Sequence, residues 1–429
     1  MSSRLTSSPD FVIRSTETVD EIDTYFRLNA ETFRPDEDPL VVAARRRRMV
    51  MRDPNFQQIQ LRSAFYGNNY IGSCRIQERW LSLEASRLHV GCVGGVVTHP
   101  DYRHQGVATA LMQDAFEVAK EKRYDLLLLH GIADYYKQHG YIDVFEDMPR
   151  HTIERALIPA QPVEDRIVRL AEAQDAPALL ALYQEHYGNS MCTFAPTRTL
   201  ERQVHYLENW FQENIPLLAV NTQGNAEGYL LLSRRRGQLY AYEAAANTWP
   251  ATLALLQHHH HLLEAEAESQ ATLFWPLPPG GLTYYLLADQ LPIQSEMDSY
   301  PDGGWMALLV SFSTFVQALL ETWQARWRQH RLAWTGVLAL VVDGQICLLD
   351  ITPEHISLVD SSSTETRQVT LSAQVFTQLA LGFRPVSWAI IQEAQSIPVD
   401  LVPVLDVLFP CKQTGIARSD DWIAGSDYF

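Results

Sequence analysis

The hydrophobic pattern changes period several times along the chain, and each change marks an element. Leu88 to Thr98 is a mostly apolar, valine-rich run with turn residues behind it, as a buried strand requires. Val107, Ala108, Leu111, Met112, Ala115, Val118 and Ala119 then recur with helical spacing, while Gln113, Asp114, Glu117 and Lys120 fall on the other side. That spacing predicts an amphipathic helix. Asp125 to His130 reads as a second buried strand. Upstream, Phe11 to Arg14 predicts a strand and Val19 to Thr32 a helix. Gln57 to Gln77 predicts a hairpin turning at Gly67-Asn68-Asn69.

After the linker-like Leu157 to Pro162, a weaker echo of this order begins. It runs through a strand at Ile167–Leu170, a helix at Asp175–Tyr187, and strands at Pro216–Asn221, Gly228–Ser233 and Leu239–Ala245. A helix at Pro250–Leu256 ends it. The last third differs in texture. Trp305 to Trp327 predicts one long helix, followed by strands at Gly336–Val342, Gln345–Ile351 and Ile356–Val359. A helix capped by serine then opens in Thr370–Leu379. The expected organisation is three units, at residues 1–156, 163–300 and 304–429.

The junction between the first strand and helix carries the chemistry. Arg103-His104-Gln105-Gly106-Val107-Ala108 has the form R-x-x-G-x-A. Glycine there lets the main chain approach a phosphate, and Ala108 keeps the first helical turn small. The unpaired N–H groups of that turn, with the positive end of the helix dipole, face an anion. Arg103 adds a fork of donors. One strand later, Tyr136 with Gly140-Tyr141 has the form Y-x-x-x-G-Y. In the echo, Ala246-Asn247-Thr248-Trp249-Pro250 holds no glycine where a phosphate would come close.

Composition narrows the class. With 429 residues and 46% hydrophobic content, the chain has material for several large cores. No leader-like start and no run long enough to span a bilayer are legible, so a cytoplasmic protein is expected. The five cysteines are scattered and lack C-x-x-C spacing, which argues against a disulfide framework and a zinc site. A net charge of −17 disfavours nucleic acid as main partner and suits steering of a cationic substrate. Arg45 to Arg48 reads as a solvated helix face or subunit contact, and His258 to His261 as a solvent-facing helix end.

The Arg103–Ala108 loop and the Tyr136…Gly140-Tyr141 element together resemble the GNAT superfamily of acetyl-CoA-dependent acyltransferases. The fold expected from that resemblance is α/β and α+β. Tandem GNAT-like domains, mixed sheets flanked by helices, precede a C-terminal domain whose layout resembles a sterol-carrier-protein-like α+β domain. The three units in this order, with the ending Asp427-Tyr428-Phe429, resemble the enhanced-intracellular-survival family of bacterial N-acetyltransferases. The resemblance implies that Val96, Val97 and Thr98 offer backbone groups to the thioester and pantetheine arm. It places Arg103, His104, Gln105, Gly106, Val107, Ala108 and Thr109 on the pyrophosphate, and Tyr136 beside the sulfur. It also implies that the carboxylate of Phe429 returns to the first domain, that acceptors are small cationic amines such as aminoglycosides or polyamines, and that the chain is a homo-oligomer, a hexamer in that family. No metal is expected.

The implied chemistry is an amine attacking a thioester directly, since no cysteine falls in the loop or the tyrosine element. A phenol and an alkyl thiol titrate within ~1.5 units, so a tyrosine suits protonation of the departing thiolate. A C-terminal carboxylate is a poorer base: taking a proton from an ammonium is uphill by roughly 4–5 units, about 6 kcal/mol. Orienting the ammonium and relaying its proton through water is the easier role. Two other readings stay open at this point: a protein lysine or N-terminal acetyltransferase, and a non-catalytic lipid or small-molecule carrier built on the C-terminal unit.

Overall fold

The computed structural model describes residues 11–188, 192–210, 214–235, 238–265, 270–278, 280–298, 302–361, 366–392, 397–412 and 415–416. The first unit opens with strand β1 (Val12–Ser15) and helix α1 (Val19–Phe33). Helix α1 starts at Val19 because Thr18 and Glu21 cap each other: the threonine hydroxyl accepts from the Glu21 N–H, and the glutamate accepts from the Thr18 N–H. Asp38 caps helix α2 (Pro39–Met51). Strands β2 (Leu61–Tyr66), β3 (Asn69–Leu83) and β4 (Ser86–Thr98) make an antiparallel meander. Helix α3 (Val107–Glu121) carries the chain back, so β5 (Leu126–Gly131) lies parallel to β4. Strand β6 (Ile142–Asp147) follows a short turn at Tyr136–His139.

The second unit begins after β7 (Arg150–Glu154) with β8 (Arg166–Leu170) and helix α4 (Ala176–Tyr187). The two-residue strand β9 (Cys192–Thr193) pairs back onto β3, and helix α5 (Leu200–His205) comes next. Strands β10 (Asn214–Asn221), β11 (Ala226–Arg235) and β12 (Gln238–Ala246) complete an antiparallel sheet in the order β12-β11-β10-β8. Helix α6 (Trp249–Ala265), β13 (Thr272–Pro276), α7 (Leu282–Ala288) and β14 (Ile293–Glu296) follow, with β7 between β13 and β14.

The next segment corrects the expectation of one helix over Trp305–Trp327. Strand β15 (Gly304–Leu309) inserts into the first unit's sheet between β5 and β6, antiparallel to both, and helix α8 (Phe312–His330) starts only after it. Trp305, Met306 and Ala307 are buried in that sheet. An all-apolar stretch of six residues satisfies helix and strand patterns equally, and only two waiting sheet edges decide between them.

Strands β16 (Gly336–Val342), β17 (Gln345–Ile351), β18 (Ile356–Val359) and β19 (Thr366–Leu371) form a separate sheet in the order β18-β17-β16-β19, with β16 and β19 parallel. Ser372 caps helix α9 (Ala373–Ala380) by accepting from the Val375 N–H. Helices α10 (Val386–Gln392) and α11 (Val402–Leu408) pack near it, and β20 (Gly415–Ile416) returns to lie parallel to β6 beside Glu146 and Asp147. One continuous core joins the first sheet to this last unit through Trp305, Phe312, Phe315, Phe376 and Trp323.

Two polar runs depart from their solvent-facing expectations. Helix α6 extends past Leu256, which places His259 in its interior, 2% exposed. The Trp275 indole N–H donates to His259 Nδ1 at 3.2 Å, and burial pushes the imidazole pKa from 6.5 to about 3. The folded value is depressed, so this histidine stabilises the fold above pH 6.5 and loses that contribution as pH falls toward 3. The melting temperature is expected to drop between pH 6.5 and 4, and His259→Gln to flatten that drop. Calorimetry at stepped pH checks it; identical slopes in the two proteins would place the acid sensitivity elsewhere. In α2, Arg46 turns inward and is buried, whereas Arg47 pairs with Asp23 at 3.2 Å on the half-exposed side. Arg27, Arg47, Arg48 and Arg52 border a groove of about 660 Å³ between α1 and α2, floored by Phe26, Ala43 and Met51.

Candidate active site

The site grows from the parting of two parallel strands. Pairing between β4 and β5 covers Val90–Cys92 with Leu126–Leu128. Beyond it β4 continues to Thr98 and β5 to Gly131, so the two ends diverge and leave backbone groups of β4 facing the gap. A bulge at Gly95-Val96, opposite Cys74, shifts the β3–β4 register, with Gly95 at φ +59°. Val96, Val97 and Thr98 therefore line one side of the opening, with Thr98 and Val97 still paired to Gly72 and Ser73 on β3.

The chain then makes a short turn at Pro100–Tyr102 and enters the loop. Arg103, His104, Gln105 and Gly106 are all exposed. His104 and Gly106 both take left-handed backbone angles, φ +62° and +83°. Gly106 is the N-cap of α3 and offers no side-chain cap, and the first helical hydrogen bond is from the Ala110 N–H to its carbonyl. The N–H groups of Val107, Ala108 and Thr109 thus lie ahead of the helical ladder, at the positive end of the helix. Val107 is buried and anchors the turn. A Cβ placed on Gly106 would meet nothing within 4 Å, so the space beside this turn is open.

Gly106→Ala should therefore fold, with the modest strain of a left-handed alanine, about 1–2 kcal/mol. Its affinity for acetyl-CoA is expected to fall about tenfold or more, because alanine disfavours the left-handed angle that presents the Val107–Thr109 N–H groups. Titration calorimetry reads this, and an unchanged Kd would remove the cradle role.

Across the gap, Tyr136 stands in the turn after β5, 4% exposed. Its ring lies against Gly131, 2.7 Å from where a Cβ on that glycine would be, and makes edge contacts with Tyr135 and Tyr141 at centroid distances of 4.9 and 6.0 Å. Gly140, at φ +86°, ends the turn. The predicted loop and the predicted tyrosine are thus brought to the two arms of one opening. Phe429 lies outside the described residues.

Several residues at this opening escaped the sequence patterns. Tyr25 and Asn29 of α1 lie over the bulge at Gly95, and the Asn29 amide donates to Ser73 Oγ at 3.3 Å. Burial pushes the Tyr25 phenol well above its ordinary range. His130, buried at the end of β5, faces Asp147 of β6 at 3.3 Å and stacks edge-on to Trp305 at 5.7 Å. The available signal was a polar residue closing an otherwise apolar strand; its acidic partner comes from another strand and leaves no spacing to read.

Residues 13–142 match the family model of the acetyltransferase (GNAT) domain. The first unit is a GNAT acetyltransferase domain. A GNAT domain uses acetyl-CoA as acyl donor, and the protein is an acyltransferase of this class. Among solved structures, the whole chain is similar to a conserved Enterococcus faecalis V583 protein, a probable N-acyltransferase, at 15% identity and TM-score 0.65, covering 94% of this chain and 97% of that one. It is similar to a GCN5-related N-acetyltransferase from Kribbella flavida at 18% identity and TM-score 0.61, covering 95% and 97%. Eis1 from Mycobacterium abscessus aligns at 14% identity and TM-score 0.61, covering 95% and 99%. At these identities the likeness is one of fold. No curated protein matches in sequence.

The second unit repeats the turn of the GNAT domain with different occupants. The His99 N–H donates to the Ile71 carbonyl at 2.8 Å in the first, and the Asn247 N–H to the Glu227 carbonyl at 2.8 Å in the second. Where Ile71 is apolar, Glu227 puts a carboxylate beside Thr248 at the start of α6, bonded also to Asn221 and Arg166 at 2.8 Å each. Burial opposes its ionisation, but those hydrogen bonds and the Arg166 charge keep its carboxyl below the ordinary range. The Ala246 N–H is taken by Thr283 Oγ1 at 2.9 Å. At the start of α6, Thr248 Oγ1 donates to Glu227 and accepts from the Ala251 N–H at 3.3 Å, so the chain's own side chains occupy this turn. Among the described residues, no cluster of three His, Cys, Asp or Glu is placed to hold a metal, and no helix is long and apolar enough to cross a membrane.

Proposed function

We propose that the protein is an acetyl-CoA-dependent N-acetyltransferase that acetylates a small cationic amine, aminoglycoside- or polyamine-like, by direct attack, with catalysis in the first unit and none in the second. The observation that carries the reading is the pairing of an open helix-terminus cradle at Gly106–Thr109 with Tyr136 on the opposite arm of the β4–β5 opening. Bound acetyl-CoA supplies an activated thioester. The chain's residues do the rest. Arg103 through Thr109 hold the pyrophosphate, and backbone groups of Val96–Thr98 hold the carbonyl oxygen as negative charge develops. The Tyr136 hydroxyl gives its proton to the departing thiolate.

Acidic surroundings support a cationic acceptor. The net charge is −17, and Asp143 and Asp302 both approach the ammonium of Lys137, the residue after Tyr136. The resemblance to the enhanced-intracellular-survival family points the same way, and the four-stranded C-terminal sheet with its helices agrees in layout with a sterol-carrier-like unit. For Phe429, the support is the direction of β20. Strands β5, β6 and β20 all run opposite to β15 or parallel to each other, so the chain leaves Ile416 heading toward the Gly131 end. Residues 417–429 can extend roughly 40 Å from there.

The test is thiol release from acetyl-CoA across aminoglycosides, polyamines, amino acids and lysine peptides, repeated without Phe429. Release with aminoglycosides or polyamines that weakens when Phe429 is removed agrees with the proposal. Release confined to lysine peptides would replace it with a protein acetyltransferase, and absence of acetyl-CoA binding would leave a carrier.

A further inference from the structure

We propose that Asp302, which enters the site from the segment leading into β15, is a positioning residue for Tyr136; this rests on the catalytic reading of that tyrosine. The loop between β5 and Tyr136 is held from outside the first unit's own sequence. Asp134 takes a left-handed backbone angle, φ +60°, and its N–H donates to Asp302 Oδ2 at 2.9 Å. Lys137, the residue after the tyrosine, places its ammonium 3.5 Å from Asp302 Oδ1 and 3.4 Å from Asp143. The carboxylate of Asp302 therefore grips the chain on both sides of Tyr136, across a sequence separation of 168 residues.

The next residue presses on the same loop. Gly303 sits at φ +94°, and a Cβ on it would lie 3.0 Å from the Gly131 carbonyl oxygen, 3.1 Å from the Ala133 nitrogen and 3.2 Å from the Ile132 carbonyl carbon. Gly304 then pairs with Gly131, the residue under the Tyr136 ring. Carboxylate, close backbone contact and strand pairing act in sequence on five residues, 131–135. A strained loop residue keeps its angle when neighbours over-determine it. Removing the Asp302 carboxylate frees the Asp134 N–H and lets the loop relax, and a displacement of the order of 1 Å at a catalytic group costs up to about 10²-fold in rate.

The experiment is a double-mutant cycle with Tyr136→Phe, using kanamycin and spermidine as acceptors, together with amide hydrogen exchange over residues 131–141. Asp302→Ala is expected to lower kcat by about 10- to 100-fold with the KM for acetyl-CoA within about twofold. Asp302→Asn, which keeps an acceptor for the Asp134 N–H, recovers much of the loss. In the Tyr136→Phe background the alanine change adds little, since the group it positions is already gone. Exchange over 131–141 accelerates in Asp302→Ala while the β2–β4 meander keeps its protection, a readout that needs no acceptor. Equal losses in both backgrounds, or unaltered exchange, overturn the positioning role and leave the tyrosine's own role standing. An unchanged rate in Tyr136→Phe alone, with chemistry limiting, overturns both.

Discussion

A chain ending at residue 298 is expected to yield no cooperatively folded catalytic domain, although it contains the whole of residues 13–142 that match the GNAT model. Strand β15 is the reason. Its six residues pair with β5 along one edge, and Trp305, Met306 and Ala307 pair with β6 along the other. Its loss would open a gap one strand wide, about 4.8 Å on each side, in the middle of the sheet. Two rows of backbone donors and acceptors would face that gap inside the core, and each unmade buried bond costs about 1–3 kcal/mol. Trp305 and Met306, 1% and 0% exposed, would take their packing with them, about 2–3 kcal/mol for each large apolar side chain. Against a typical stability of about 5–15 kcal/mol, these losses are decisive.

Circular dichroism melts and acetyl-CoA binding by the 1–298 fragment read the outcome directly. A cooperative transition with intact binding would show that β5 and β6 can close on each other, and would refute the requirement. Met306→Asp in the full chain is the point-mutation form of the same test, since it forces a carboxylate into a fully buried position of β15.

Tyr136→Phe is expected to lower kcat by about 10²–10⁴-fold while leaving the KM for acetyl-CoA within a few-fold. The substitution keeps the aromatic ring. The ring's contacts with Gly131, Tyr135 and Tyr141 are all made by carbon faces and edges, which phenylalanine reproduces. What disappears is the hydroxyl and its proton. A loss in kcat with substrate binding retained is the signature of a group used only in the transition state. Single-turnover kinetics must show that chemistry, and no later product release, limits the rate. If it does and kcat is unaltered, the phenol is no acid in this reaction.

The first unit was largely legible because its signals are local. The valine-rich β4, the helical spacing of α3 and the Gly106 turn each act over a few residues, and the structure builds β4 and α3 on those stretches. Period failed where a run was apolar throughout. Leu126–Leu129 became a strand as expected, whereas Trp305–Leu309 was assigned to a helix and is a strand. His259 likewise looked like one of four equivalent polar residues, and only the length of α6 carried it under Trp275.

By itself the sequence determined the parts whose cause lies within one helical turn or one strand: the left-handed Gly106 turn that opens α3, the Y-x-x-x-G-Y turn, and the absence of a glycine before α6. Tertiary structure alone decided which distant segments complete the site. Tyr25 and Asn29 over the Gly95 bulge, Asp147 opposite His130, β15 within the catalytic sheet, and Asp302 on both sides of Tyr136 all join residues from separate elements. A hydrogen bond between residues 134 and 302 depends on where two strands end in space, and no periodicity in either segment records that.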